Sequence, residues 1–271
     1  MQAIYFLGGG NMCAAIVSGL VKQSDLAITV VDANAEKLQQ LKQQYGIETA
    51  ATMPPLHPDA VLVLAVKPQD MQTACANLAV NGALVLSIAA GLDVATLSHY
   101  LNGHRRLVRV MPNTPAQVGL GVSGLFAAPD IGTADRQLAE RIMQAVGQTV
   151  WLPEEARMHA ITGISGSGPA YVFYLLDALQ QAAQAQGFNA DEARLLSLAT
   201  FEGAVALAAQ SGLPFAQLQQ NVTSKGGTTH EAIETFKAHQ VAEAIAAGVT
   251  ACCQRSEQLQ QIFAQAAQQA Q

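Results

Sequence analysis

The residues best placed to do chemistry are glycines. Gly8-Gly9-Gly10 follows the apolar run Ala3 to Leu7 and precedes an amphipathic stretch that begins at Asn11 and Met12. A Gly-x-Gly turn between a strand and a helix takes backbone angles that other residues resist, and it lets a pyrophosphate approach the helix N-terminus. The third small position of the pattern G-x-G-x-x-G/A is filled by Cys13, which crowds helix-on-sheet packing slightly. Asp32 closes the next apolar run, where a carboxylate either accepts from the ribose hydroxyls of a dinucleotide or caps the following helix, a role equally open to Asn34. A third run ends in Ala65-Val66-Lys67-Pro68. Lys67 there either steers a phosphate or amide group or is simply solvated, while Pro68 suits a first helical turn. The small pair Ala89-Ala90 ends a fourth run, as if something flat must pass close to the backbone.

Those residues need a scaffold that lines up strand ends. Short aliphatic runs at Ala3 to Leu7, Ala27 to Val31, Val61 to Val66, Ala83 to Ile88 and Leu107 to Val110 read as strands buried on both faces, as in a parallel sheet. Helical patterns fall between them at Asn11 to Lys22, Asn34 to Tyr45, Pro68 to Leu78 and Val94 to Leu101. Val122 to Ala127 and Thr149 to Leu152 add strands around a helix at Ala134 to Val146. The alternation predicts an α/β domain with right-handed crossovers over residues 1–152. From Pro153 onward Ala, Leu and Gln dominate, with helical periodicity through Ala170 to Gln186, Ala190 to Gln210 and Ala242 to Gln268, so residues 153–271 read as all-helical. The segment Gln258 to Gln271 reads as either a helix end or a frayed tail.

Composition narrows the partners. The 271 residues are 50% hydrophobic and 13% charged, with a formal charge of −6 and 14 scattered basic residues, which argues against nucleic acid. Cys13, Cys75, Cys252 and Cys253 lack CxxC spacing, so no metal site is expected and reduced thiols fit. With no signal-peptide pattern and no apolar run of membrane-spanning length, the expected address is the cytoplasm and no membrane partner is expected.

Three further runs have no simple structural explanation: Arg109 to Pro115 (RVMPNTP), Ile164 to Tyr171 (ISGSGPAY) and Thr223 to Thr229 (TSKGGTT). With GGGNM and AVKPQ they form an ordered set that strongly resembles the pyrroline-5-carboxylate reductases across nearly the whole chain. The resemblance implies a Rossmann-type N-terminal domain with a mostly parallel sheet, followed by an all-α dimerisation domain, the homodimers often assembling into larger rings. It implies reduction of the C=N bond of 1-pyrroline-5-carboxylate to L-proline with NADPH or NADH. It assigns cofactor contacts to Gly8, Gly9, Gly10, Asn11, Met12, Ala65, Val66, Lys67, Pro68, Ala89, Ala90 and Asn221, and the substrate loop to Ser224, Gly226, Gly227, Thr228 and Thr229.

Given that substrate, Gly226 to Thr229 precede the apolar helical positions Ala232, Ile233 and Phe236, so a helix N-terminus there would offer N–H groups to a carboxylate. The Thr229 hydroxyl then either bonds the ring nitrogen, as the one candidate catalytic group, or Thr228 or Thr229 merely caps the helix with Glu231 nearby. The Asn113 amide either meets the nicotinamide or shapes the pocket. Two departures stand out: Lys225 replaces the proline that usually precedes the double glycine, and the acidic Asp32 opposes a cofactor 2′-phosphate. Two rivals remain open at this point. A β-hydroxyacid dehydrogenase would need a lysine early in the helical half, where none occurs between Lys67 and Lys225, and a non-catalytic nucleotide-binding scaffold would not need the GGTT loop.

Overall fold

The structure, a computed structural model, describes residues 1–269. Eight strands form one sheet in the order β3-β2-β1-β4-β5-β6-β7-β8. β1 (Gln2–Leu7), β2 (Leu26–Val31), β3 (Glu48–Ala50), β4 (Val61–Leu64), β5 (Leu84–Ser87) and β6 (Leu107–Met111) are mutually parallel. β7 (Gly121–Ala127) runs antiparallel to β6, and β8 (Gly147–Trp151) is parallel to β7. Every residue of β4 and β5 is buried, as a strand covered on both faces requires. The chain leaves β1 toward β2 and β3, then returns to place β4 on the other side of β1. That reversal makes β1 and β4 a switch point, with a crevice beyond their carboxyl ends.

The helices between strands are α1 (Asn11–Leu20), α2 (Ala35–Tyr45), α3 (Met71–Cys75), α4 (Val94–Tyr100) and α5 (Thr133–Gln144). Asn34 caps α2 by accepting from the Lys37 amide, and Asp93 caps α4 by accepting from Thr96. Two local differences from the sequence reading have simple causes. β3 is only three residues long, and Glu48-Thr49-Ala50 carries no apolar pattern, so pairing with β2 alone makes it a strand. The helix expected from Pro68 to Leu78 is a 3₁₀ turn at Pro68–Asp70 followed by the short α3.

After β8 come α6 (Arg157–Ile161) and a π-helical turn at Thr162–Gly166. The chain divides into two compact units, residues 1–167 with 251–269, and residues 168–250. The boundary expected near residue 152 falls just after the last strand, whereas compactness keeps α6, the π turn and the chain's closing segment with the sheet. Specific contacts account for this. Arg109, almost fully buried on β6, donates to Glu155 Oε1 at 2.8 Å, and the same oxygen accepts from the Val94 amide at the start of α4. Near the C-terminus Gln260 donates to Asp93, Ala267 joins the sheet core and Phe263 packs against it.

The second unit contains α7 (Gly168–Ala185), α8 (Ala190–Ser211), α9 (Phe215–Asn221), α10 (Thr228–Ala238) and α11 (Val241–Gln269) as far as Thr250. A reciprocal capping box opens α8: Asn189 accepts from the Glu192 amide while Glu192 accepts from the Asn189 amide. α9 escaped the sequence reading because its seven residues follow Pro214 with no clear periodicity. Of the closing segment Gln258 to Gln271, α11 takes up everything through Gln269, and the last two residues lie outside those described. Among the described residues no helix is long and apolar enough to cross a membrane, and no cluster of His, Cys, Asp and Glu could hold a metal ion.

Candidate active site

The glycine turn is built by sterics. Gly8 has φ +106°, and a Cβ there would lie 2.8 Å from the carbonyl carbon of Ala65, so neither the angle nor the space admits a side chain. Its amide donates to Val31 O, and Ala65 N donates to Leu7 O, which pins the ends of β1, β2 and β4 together. Gly10 is the N-cap of α1 and lacks a side-chain cap, leaving the first amides of α1 without an intrahelical acceptor. A Cβ on Gly10 would meet nothing within 4 Å, so the open space beyond it belongs to a ligand-sized crevice. Cys13 is fully buried in the core, and burial there, with the nearby Asp32 charge, pushes its thiol pKa far up. Close helix approach occurs at Gly19 instead, where a Cβ would collide with the Ala145 carbonyl.

Asp32, at the end of β2, is tied to backbone amides through both oxygens. Its Oδ2 accepts from the Gly9 amide at 2.7 Å and its Oδ1 from the Asn34 amide at 2.8 Å. The helix cap is Asn34, and the carboxylate holds the glycine turn in place.

Two adjoining cavities open along these strand ends. One, of about 720 Å³, is lined by Gly9, Gly10, Asn11, Met12, Ala65 to Pro68 and Ile88 to Ala90, together with α2 residues. The other, of about 530 Å³, is lined by Gly8, Gly10, Val31, Asp32, Ala33, Ala65 to Lys67 and Asp70. All of the cofactor residues expected in the first unit except Asn113 therefore face one or both. The α2 residues Lys37, Gln40, Leu41 and Gln44 were missed, although their i, i+3, i+4, i+7 spacing puts them on one helix face. Lys37 lines both cavities.

Asn113 is committed elsewhere. Its Oδ1 accepts from Val122 N at 2.9 Å and its Nδ2 donates to Ser165 O at 3.0 Å, so of its two expected roles the structural one is occupied. Two of the unexplained sequence runs thus meet: a Cβ on Gly166 would lie 2.6 Å from Met111 Cε. The RVMPNTP segment is locked onto the ISGSG turn.

The expected substrate residues lie together in the second unit. Gly226 has φ +71°, and the Gly227 amide donates to Ser224 O at 3.0 Å, folding the loop back just before α10. Gly227 is the N-cap of α10 and no side chain caps it, so Thr228 and Thr229 are the first helical residues and neither caps the helix. Thr228, Thr229 and Ser224 are exposed, beside amides left open at a helix N-terminus. Asn221 ends α9, and its Oδ1 accepts from Gln217 at 3.0 Å.

Comparison with known proteins finds relatives along nearly the whole chain. Residues 155–259 match the family described as pyrroline-5-carboxylate reductase dimerisation, and residues 3–91 match one described as NADP oxidoreductase, coenzyme F420-dependent. A solved pyrroline-5-carboxylate reductase from Coxiella burnetii is similar with a TM-score of 0.87 and 37% identity, over 94% of this chain and 97% of that one. The Plasmodium falciparum enzyme, solved with NADP bound, shares the fold at a TM-score of 0.83 and 24% identity, over 96% and 98% of the two chains. A relative named pyrroline-5-carboxylate reductase from Pseudomonas aeruginosa is 38% identical over 94% of this chain and 96% of its own length. Another of that name, from Pasteurella multocida, is 41% identical over 97% of this chain and 99% of its own, and on this evidence the chain belongs to the pyrroline-5-carboxylate reductase family.

Proposed function

We propose that this chain reduces the C=N bond of 1-pyrroline-5-carboxylate to give L-proline, with NADPH or NADH as the donor. Family membership over nearly the full length carries the reading. The crevice beyond β1 and β4 suits a dinucleotide, because Gly8 leaves room for backbone approach and Gly10 opens onto free space. Gly8 to Met12, Asp32, Ala65 to Pro68, Ala89, Ala90, Asn113 and Asn221 are the proposed cofactor residues, Asp32 and Asn113 acting by fixing the loops around it.

The reduced nicotinamide, when bound, supplies the hydride for C5 of the ring. The protein has little acid–base work to do, since a protonated imine is already electrophilic, and its main contribution is to hold the ring in a near-attack position. Ser224 and Gly226 to Thr229 are the proposed carboxylate cradle, with the open amides of α10 as donors. The Thr229 hydroxyl is the proposed partner of the ring nitrogen and the proposed catalytic group. The family's dimerisation helices support association of two chains. Assembly of dimers into a larger ring and residence in the cytoplasm are parts of the same proposal.

The test is a spectrophotometric assay with 1-pyrroline-5-carboxylate and each reduced nicotinamide in turn. Substrate-dependent consumption of either cofactor is expected. Binding without consumption of either would return the scaffold reading, and oxidation of 3-hydroxy acids in place of imine reduction would return the dehydrogenase one.

A further inference from the structure

We infer that Lys37 selects NADPH over NADH by binding the phosphate on the 2′ oxygen of the adenosine ribose. The inference rests on the reading that the first unit takes a nicotinamide dinucleotide, and it reverses the preference expected from Asp32 alone. An acidic residue at the end of β2 opposes a 2′-phosphate by charge repulsion, which a neighbouring cation offsets. Here both oxygens accept backbone amides, from Gly9 and from Asn34, and Oδ2 also lies 3.9 Å from Lys37 Nζ. Each oxygen is thus tied to the turn, and Lys37 partly balances the charge.

Lys37 is poorly placed for any helical purpose. It occupies the first turn of α2, where a cation opposes the positive end of the helix dipole and an acidic residue would be favoured. The contact with Asp32 is a weak compensation, since the lysine side chain is 50% exposed and such pairs contribute little to stability. What the position does provide is access: Lys37 lines both strand-end cavities, and the small Ala33 also lines the second. Asn34 caps only the Lys37 amide, so the Ala35 and Glu36 amides remain as donors in the same first turn. An ammonium group together with open helix amides is a phosphate-binding set. Lys67 lines the cavities too, but it lies at the end of β4 by the switch point, and phosphates present in both nucleotides account for it.

The experiment titrates the full-length protein with NADPH and NADH by fluorescence, and with adenosine 2′,5′-bisphosphate and ADP by calorimetry. Lys37→Gln is expected to weaken NADPH binding about tenfold and NADH binding by less than about twofold, as loss of one charge-assisted contact implies. Adenosine 2′,5′-bisphosphate should follow NADPH, and ADP should follow NADH. Lys37→Arg should restore most of the difference, whereas Lys67→Gln should weaken both dinucleotides. Equal losses for NADPH and NADH in Lys37→Gln, or unchanged NADPH affinity, would overturn the inference. Failure of the unaltered protein to bind either dinucleotide would instead overturn the reading beneath it.

Discussion

In the sheet unit the large side chains Phe6, Leu62 and Leu86 are fully buried, whereas in the helical unit Phe173, Tyr174 and Phe215 stand exposed on a single chain. Some of the glycines show the same contrast. A Cβ on Gly8, Gly19, Gly121 or Gly147 would strike neighbouring backbone, while Gly203 and Gly248, inside α8 and α11, have nothing within 4 Å. A mid-helix glycine costs about 1 kcal/mol relative to alanine, so an uncrowded one brings no benefit to the isolated chain. The helical unit carries apolar surface and bare helix positions that a second copy of the chain would cover, in keeping with its match to a dimerisation family.

The largest effect that would sharpen this contrast is expected at Arg109. Replacing it with Ala empties a buried site and leaves the partly buried Glu155 with the Val94 amide but no cation, and should cost about 3 kcal/mol, read by urea denaturation. A loss below about 1 kcal/mol would show that the linker after β8 is not held by that pair. Next comes Gly8→Ala, which should cost about 2 kcal/mol through strain and abolish nucleotide binding, whereas Gly10→Ala should leave the melting temperature unchanged and affect binding alone. If the two variants melt alike, crowding does not distinguish them.

In the helical unit, Gly203→Leu should shift the chain toward monomer in light scattering while leaving helix content intact. A dimer of unaltered strength would mean that no partner approaches that face. Thr229→Ala should lower kcat/KM about tenfold with dinucleotide affinity unchanged, and equal turnover would remove Thr229 from the mechanism.

The smallest effect concerns His159, which accepts from or donates to Ser256 at 2.9 Å. Burial holds its pKa below the ordinary value near 6.5, Glu257 and Glu155 opposing the shift and Arg109 reinforcing it. The unfolded chain therefore takes up the proton first, so stability should decline as pH falls from about 6.5 through the lower folded value. His159→Gln should flatten the profile in that window, and an unchanged slope would exclude this residue.

The glycine turn, the parallel strands and the ends of β4 and β5 were readable from sequence because their signals are local. The MPNTP and ISGSG segments were not, because their meaning is a contact between them: Asn113 and Ser165 are 52 residues apart, and no periodicity links them. Asp32 was placed correctly at the strand end, but its partners depended on which way the Gly9 amide faced. Cys13 was tolerable because the tight approach of α1 lies at Gly19, near a helix end that only the tertiary fold brings close. Lys37 was readable in principle, on one face of α2 with Gln40, Leu41 and Gln44.

The packing of Phe263 on Gly91 has a consequence for the order in which the chain is made. The strands of the sheet leave the ribosome first, yet Gln260, Phe263 and Ala267, which add to their cover, are synthesised more than a hundred residues after β8, the last strand. Folding that otherwise proceeds from the N-terminus during translation must here wait for α11. Until that helix arrives, the growing chain holds an unfinished core while apolar helix side chains such as Phe173 and Phe215 are also exposed, and this interval is open to aggregation.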